Sequence, residues 1–157
     1  MAPAYYAAGN DHHGRRVHLT HVEALHDLIP LHPPGTPFVV LLAADTASAT
    51  VDEIYRVADE CLSAGAVYAL AWGPGCQRME DIFDEAVVKT GDEPARPVIM
   101  TTAHPDQPLE DALDFALTVA IPNQHYEAHH VLLAFVGNVT WYNRAHEFLE
   151  DALRDPA

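Results

Sequence analysis

Two side chains in separate segments have the chemistry that nucleophilic catalysis needs. Cys76 follows Gly73-Pro74-Gly75 at the predicted start of a helix, where the helix dipole and free backbone N–H groups favour a thiolate. His104 follows a later apolar segment, with Asp106 nearby to orient it, so the two resemble a general base and its partner. This set favours a cysteine-dependent hydrolase. Acidic residues in the same first helical turn oppose a thiolate, and a simple turn followed by a partly buried thiol explains the same pattern.

A second candidate is the loop Thr46-Ala47-Ser48-Ala49-Thr50, whose hydroxyls precede a predicted helix. Such a position suits a phosphate, although the loop has no glycine and is followed by two acidic residues, so helix capping explains the hydroxyls as well. Asp45 ends a predicted strand, as the aspartate of a phospho-acceptor domain does. Such a site also needs a lysine at a neighbouring strand end, and the only lysine of the chain, Lys89, falls in a predicted helix. A glycine-rich nucleotide loop is absent, and the sequence predicts no cofactor.

The histidines suggest metal binding by number but not by spacing. Six of the eleven lie in the first 36 residues, and adjacent pairs occur at His12-His13 and His129-His130. A zinc site needs three or four ligands within tetrahedral reach, and adjacent pairs seldom converge on one ion. We predict no metal site.

The elements that position these residues alternate from residue 37 onward. Continuous apolar runs predict strands over 38–44, 67–72, 98–102 and 131–136, as expected of a sheet covered on both faces. Between them, apolar residues recur at helical spacing, and the first helix opens with the capping box Thr50-x-x-Glu53 and ends at Gly65. The pattern predicts an α/β fold, a three-layer, doubly wound, Rossmann-like sandwich around a four-stranded, mainly parallel sheet.

The strand order and the domain boundary follow from the same pattern. The most apolar strand, 38–44, is expected near the middle, which gives the order 2-1-3-4 and separates the Cys76 loop from the His104 loop. Residues 37–157 are expected to form a single α/β domain. Residues 1–36 are expected to form an N-terminal arm with a short helix, because Thr20-x-x-Glu23 resembles a cap and Val22, Leu25 and Leu28 share a helical face.

Ligands of open parallel sheets bind beyond the carboxyl ends of the strands. Trp72, like Trp141, either marks a pocket at this edge or fills the core. The candidate ligand-binding residues at this edge are Asp45, Thr46, Trp72, Thr101, Thr102 and His104.

Charge narrows the classes of partner. Eight basic against 23 acidic residues give a formal charge of −15, which disfavours nucleic acid and anionic membranes. No apolar run approaches the ~20 residues that span a bilayer, and the N-terminus lacks the layout of a secretory signal. We therefore expect a cytoplasmic protein in which Cys61 and Cys76 are reduced.

Two stretches of this chain resemble a family of short bacterial proteins classed as a domain of unknown function. The first is Ala71-Trp72-Gly73-Pro74-Gly75-Cys76 followed by Glu80-Asp81-Ile82-Phe83-Asp84-Glu85, and the second is Val98–His104 leading to Leu109–Leu113. In the family pattern an aromatic residue tends to occupy the place of Ala103. The resemblance implies a bacterial, cytoplasmic protein and assigns no catalytic residue.

These observations favour a non-catalytic module that binds a small molecule or a protein partner, and a homodimer is a further option. The alternative is the cysteine-dependent hydrolase that uses Cys76 and His104.

Overall fold

The computed structural model describes residues 2–90, 99–122 and 127–153. Val98, the first residue of the predicted third strand, lies outside these ranges. The strands are β1 (Tyr6–Asn10), β2 (Arg16–Val22), β3 (Phe38–Ala43), β4 (Ala66–Trp72), β5 (Met100–Ala103) and β6 (His130–Val136). The helices are α1 (Val51–Ala64), α2 (Cys76–Thr90), α3 (Leu109–Thr118) and α4 (Val139–Ala152).

The strands form one sheet in the order β1-β2-β6-β3-β4-β5. β1 is antiparallel to β2, and all other neighbours are parallel. α1 and α2 pack on one face of the sheet, and α3 and α4 pack on the other. The predicted mixed α/β class with a mostly parallel sheet is therefore confirmed.

The predicted strand number and order are wrong. The part of the chain that the structure describes forms a sheet of six strands, and the four predicted ones lie in the order 4-1-2-3 instead of 2-1-3-4. Among the described residues β5 is an edge strand whose one partner is β4, and its two threonines are partly exposed. From β5 the chain crosses the opposite face through α3 and returns beyond β3 as β6. An amphipathic helix fits either face equally well, so its periodicity does not reveal this reversal.

The N-terminal segment also differs from its prediction. Instead of an arm with a helix, residues 6–22 contribute β1 and β2 to the sheet, and β2 runs parallel to β6. Val17 and Leu19 alternate with His18 and Thr20 along β2, which is the two-residue period of a strand. Only Leu25–Leu28 is helical, as a single 3-10 turn packed beside α1.

A buried arginine fixes the β1–β2 hairpin to the rest of the fold. The Arg15 guanidinium contacts the Asp11 carboxylate at 2.7 Å, and it donates to the carbonyl oxygens of Ala116, Leu117 and Ala120 at 3.3 Å or less. These carbonyls lie at the C-terminal end of α3, where a positive charge is favoured by the helix dipole. The hairpin therefore serves as the C-terminal cap of α3.

The helix α1 follows its sequence signals closely. The Thr50 side chain accepts a hydrogen bond from the Glu53 backbone N–H at 3.1 Å, and Gly65 ends the helix in the left-handed conformation. In the part of the chain that the structure describes, no helix is long and apolar enough to cross a membrane.

Candidate functional site

Two crevices open at the carboxyl edge of the parallel strands, because neighbouring strands there send their chains to opposite faces. β4 leads to α2 and β5 leads to α3 on the other face, and between them lies a cavity of about 480 Å³, called here the first cavity. β3 leads to α1 and β6 leads to α4, and between them lies the second cavity, of about 470 Å³. The first cavity is lined by residues 72–77 and 104–107. The second cavity is lined by residues 23–26, 136–138, Asp45, Ser48, Ala49, Glu53 and Trp141.

The loops after β3 and β4 leave toward the same face and are joined to each other. The Thr46 backbone N–H donates to the carbonyl oxygen of Pro74 at 2.8 Å. A Cβ at Gly73 would lie 2.3 Å from the carbonyl oxygen of Ala44, and one at Gly75 would lie 2.7 Å from the backbone nitrogen of Ala47. The Gly-Pro-Gly sequence therefore allows one loop to touch the other, which accounts for its glycines without a ligand.

Trp72 forms a wall of the first cavity. Its indole Nε1 donates to the carbonyl oxygen of Gln107 at 2.8 Å. Its ring meets that of Trp141 edge-to-face at a centroid distance of 4.9 Å. Since Trp141 lines the second cavity, the two indoles stand between the cavities.

His104 is buried at the base of the first cavity with both ring nitrogens hydrogen-bonded. Nε2 lies 2.9 Å from Thr102 Oγ1, and Nδ1 lies 3.3 Å from Gln107 Oε1. The ring packs on Phe115 and is only 5% exposed. Burial lowers the pKa of His104 below its ordinary value, and the hydrogen bond to Gln107 opposes this shift. The imidazole is therefore neutral at pH 7.

The structure brings Cys76 and His104 to the same cavity, contrary to the separation expected from the predicted strand order. β4 and β5 are neighbours, so the loops that follow them meet. However, Cys76 is 3% exposed, and within the described residues no hydrogen bond joins its sulfur to His104. Asp106 is exposed, and Gln107 occupies the place of the orienting carboxylate beside Nδ1.

The predicted ligand-binding residues do not form one site. Trp72 and His104 line the first cavity, and Asp45 lines the second. Thr46 is fully buried between the two loops. Of the β5 threonines, Thr102 supports His104, whereas Thr101 donates to Asp84 on α2.

Carboxylates dominate the rim of the second cavity. Glu23, Asp45 and Glu53 are all exposed there. Opposite them, the Asn138 side chain caps α4 by accepting from the backbone N–H of Trp141 at 3.1 Å. Exposed carboxylates of this kind are usually solvated, and among the described residues no group of three or more His, Cys, Asp or Glu side chains could hold a metal ion.

A protein-family model described as "Domain of unknown function (DUF7684)" matches residues 15–152. The chain belongs to this family. Nothing among the curated proteins or the solved structures matches it. The matched range contains every residue that lines either cavity, so both cavities are features of the DUF7684 domain in this chain. The resemblance to a domain of unknown function is confirmed.

Sequence reasoning did not single out Gln107 as a site residue of this DUF7684 domain. Asp106 drew attention because a carboxylate beside a histidine is the usual orienting group. Asp106 adopts a left-handed backbone conformation, with φ of 57°, and it is the following side chain that reaches the imidazole. The sequence gives no signal that Gln107, and not Asp106, reaches His104, because the backbone conformation of the turn decides which side chain lies beside the ring.

Proposed function

We propose that this DUF7684 chain binds a small-molecule ligand in the first cavity. The observation that carries the proposal is the combination of apolar walls with a few fixed polar groups in one crevice. Trp72, Pro74 and Pro105 supply apolar surface, and His104 and Gln107 are held by hydrogen bonds. The volume of about 480 Å³ falls in the range typical of ligand pockets.

The charges of the lining favour an uncharged ligand. No lysine or arginine is among the described residues that line the first cavity, and Asp106 is the single carboxylate. His104 is neutral at pH 7 because burial lowers its pKa. An anion would find no cation here, and the net charge of −15 would slow its approach.

The test is a fragment screen by ligand-observed NMR on the full chain, read with two blocking variants. Gln77→Trp places an indole in the mouth of the first cavity, and Ser48→Trp does the same in the second. Both residues are exposed, so each change leaves the core intact. We expect uncharged aromatic fragments to bind the wild type and Ser48→Trp, and to lose binding in Gln77→Trp.

Fragments that bind equally to Gln77→Trp and to the wild type would overturn the proposal. Loss of binding in Ser48→Trp alone would move the site to the second cavity, which has three exposed carboxylates at its rim. Native mass spectrometry of the protein as purified adds a direct readout, since a mass excess that vanishes on denaturation reveals a ligand already bound.

The shared cavity of Cys76 and His104 also allows the hydrolase alternative to be tested. Cys61 is an internal reference, because burial raises the pKa of its thiol to about 12. Under the binding proposal both thiols alkylate slowly in the native protein, because both are buried. Rapid alkylation of Cys76 at neutral pH, absent from Cys76→Ser, would favour the hydrolase over the binding module.

A further inference from the structure

We propose that Gln107 selects the ligand class of the first cavity, by donating from its side-chain amide to a carbonyl oxygen of an uncharged ligand. This inference rests on the proposed function and adds to it the chemistry that the ligand must carry. It is drawn from a chain of three hydrogen-bonded side chains that ends at the cavity: Thr102, His104 and Gln107.

Gln107 is fixed at two points. The Trp72 indole donates to its backbone carbonyl oxygen at 2.8 Å, and its side-chain Oε1 lies 3.3 Å from His104 Nδ1. The remaining atom of the amide, Nε2, has no hydrogen-bond acceptor within the described part of the chain. A polar group held in place at a cavity wall costs little additional ordering when a ligand binds.

The Gln107 amide oxygen sets the direction in which the hydrogen bonds run. An amide oxygen only accepts, and Gln107 Oε1 lies 3.3 Å from His104 Nδ1, so Nδ1 carries the hydrogen and donates it. A neutral imidazole has a single N–H, so Nε2 is left as the acceptor. The Thr102 hydroxyl, 2.9 Å from Nε2, therefore donates to it.

The hydrogen-bond direction at His104 fixes which end of the Gln107 amide faces the cavity. A neutral His104 that accepts at Nε2 carries its hydrogen on Nδ1 and donates it to Gln107 Oε1. The amide must therefore present its NH₂ group, and not its oxygen, to the ligand.

The opposite wall of the first cavity also presents a hydrogen-bond donor. It contains the start of α2, where the Cys76 backbone N–H donates to the carbonyl oxygen of Gly73 at 3.1 Å and the Gln77 N–H has no acceptor among the described residues. Two walls that donate call for a ligand that accepts. Since no basic side chain is among the described lining residues, an uncharged carbonyl beside a flat apolar ring, packed near Trp72, fits better than a carboxylate.

The first experiment tests the hydrogen-bond direction in the ligand-free protein. Long-range ¹H–¹⁵N NMR of the His104 ring at pH 7.5 distinguishes its two neutral tautomers. We expect hydrogen on Nδ1 and none on Nε2. Hydrogen on Nε2 would reverse the chain, make Gln107 an acceptor and overturn this inference.

The second experiment measures ligand class with three probes that share one ring: benzamide, benzoate and benzylamine. We expect benzamide to bind best, and Gln107→Glu and Gln107→Met each to weaken it about tenfold, the value of one hydrogen bond. Gln107→Glu keeps an oxygen for His104 and replaces the donor with a charged acceptor, and Gln107→Met removes the amide without adding charge, so a loss shared by both variants reports the missing donor. Gln107 is exposed, so both variants should fold.

The outcomes separate this inference from the proposed function. Benzylamine binding that Gln77→Trp abolishes, with benzamide no stronger, would overturn the role of Gln107 and keep the first cavity as the site. Stronger binding of benzoate than benzamide would overturn the uncharged class. Absence of any binding sensitive to Gln77→Trp would overturn the proposed function together with this inference.

Discussion

The two cavities at the carboxyl edge have nearly the same volume but different chemistry. Each lies where neighbouring strands send their chains to opposite faces of the sheet, so the topology accounts for both. The first has an indole wall, two prolines and a buried neutral histidine. The second has exposed carboxylates at its rim. The fold provides crevices, and the side chains decide which of them suits an uncharged organic ligand.

The loop between β4 and α2, which lines the first cavity, is held more firmly than the loop between β6 and α4, which lines the second. The loop after β4, at the first cavity, touches the neighbouring β3–α1 loop at Gly73 and Gly75. Arg78 adds to this contact by donating to the carbonyl oxygens of Thr46 and Ala49 at 3.0 and 2.6 Å. At the second cavity, a Cβ on Gly137 would meet nothing closer than 3.4 Å. A rigid wall holds polar groups in place before a ligand arrives.

The largest expected effect contrasts these two loops through alanine substitution of one glycine in each. Gly73→Ala would force a Cβ to within 2.3 Å of a carbonyl oxygen at φ of 112°, so we expect a loss of about 2–4 kcal/mol. Gly137→Ala has room for its Cβ and is strained only by its φ of 73°, so we expect about 1 kcal/mol. Urea unfolding of both variants measures the difference.

Equal losses for the two substitutions would show that the first cavity is no more tightly built than the second. The m-value serves as the control, because a changed slope would mean that the substitution altered more than the native loop.

Much of this architecture can be predicted from the sequence, and the parts that cannot have physical reasons. Thr50, Gly65 and the apolar runs place α1, β3, β4 and β6 correctly, because capping and burial act locally. The order of the strands depends on which face α3 covers, and no local pattern records that choice. The wrong strand order also placed Cys76 and His104 in separated loops of the sheet edge, whereas in the structure both residues line the first cavity.

The next contrast concerns pH. The pKa of His104 is lowered by burial, so the unfolded chain binds a proton more readily than the folded one below pH ~6.5. Stability is therefore complete above pH ~6.5 and falls as the pH drops through the lowered pKa. His18 and His130 also make stability fall at low pH, because their pKa values are lowered mainly by burial. They lie at the other end of the strands, with 3.1 Å between His18 Nε2 and His130 Nδ1.

Unfolding in urea at several pH values between 7.5 and 5 tests this dependence. We expect His104→Gln to reduce the slope of stability against pH, and His18→Gln to remove a separate share. An unchanged slope in His104→Gln would mean that the imidazole is not buried as a neutral group, and the contrast with the acidic rim of the second cavity would fail.

The smallest expected effects come from two adjacent residues, Asp45 and Thr46, which the sequence assigned to one ligand site. Thr46 is fully buried, and its hydroxyl donates to the carbonyl oxygen of Pro74 at 3.3 Å, so Thr46→Val should cost about 1 kcal/mol. Asp45 is exposed and accepts from the backbone N–H of Ala47 at 3.1 Å, so Asp45→Asn should change stability by less than about 0.5 kcal/mol. Thermal or urea unfolding separates the two values. If Asp45→Asn were the more costly change, the carboxylate would be part of a structured second cavity, and the distinction between a built and a solvated crevice would have to be withdrawn.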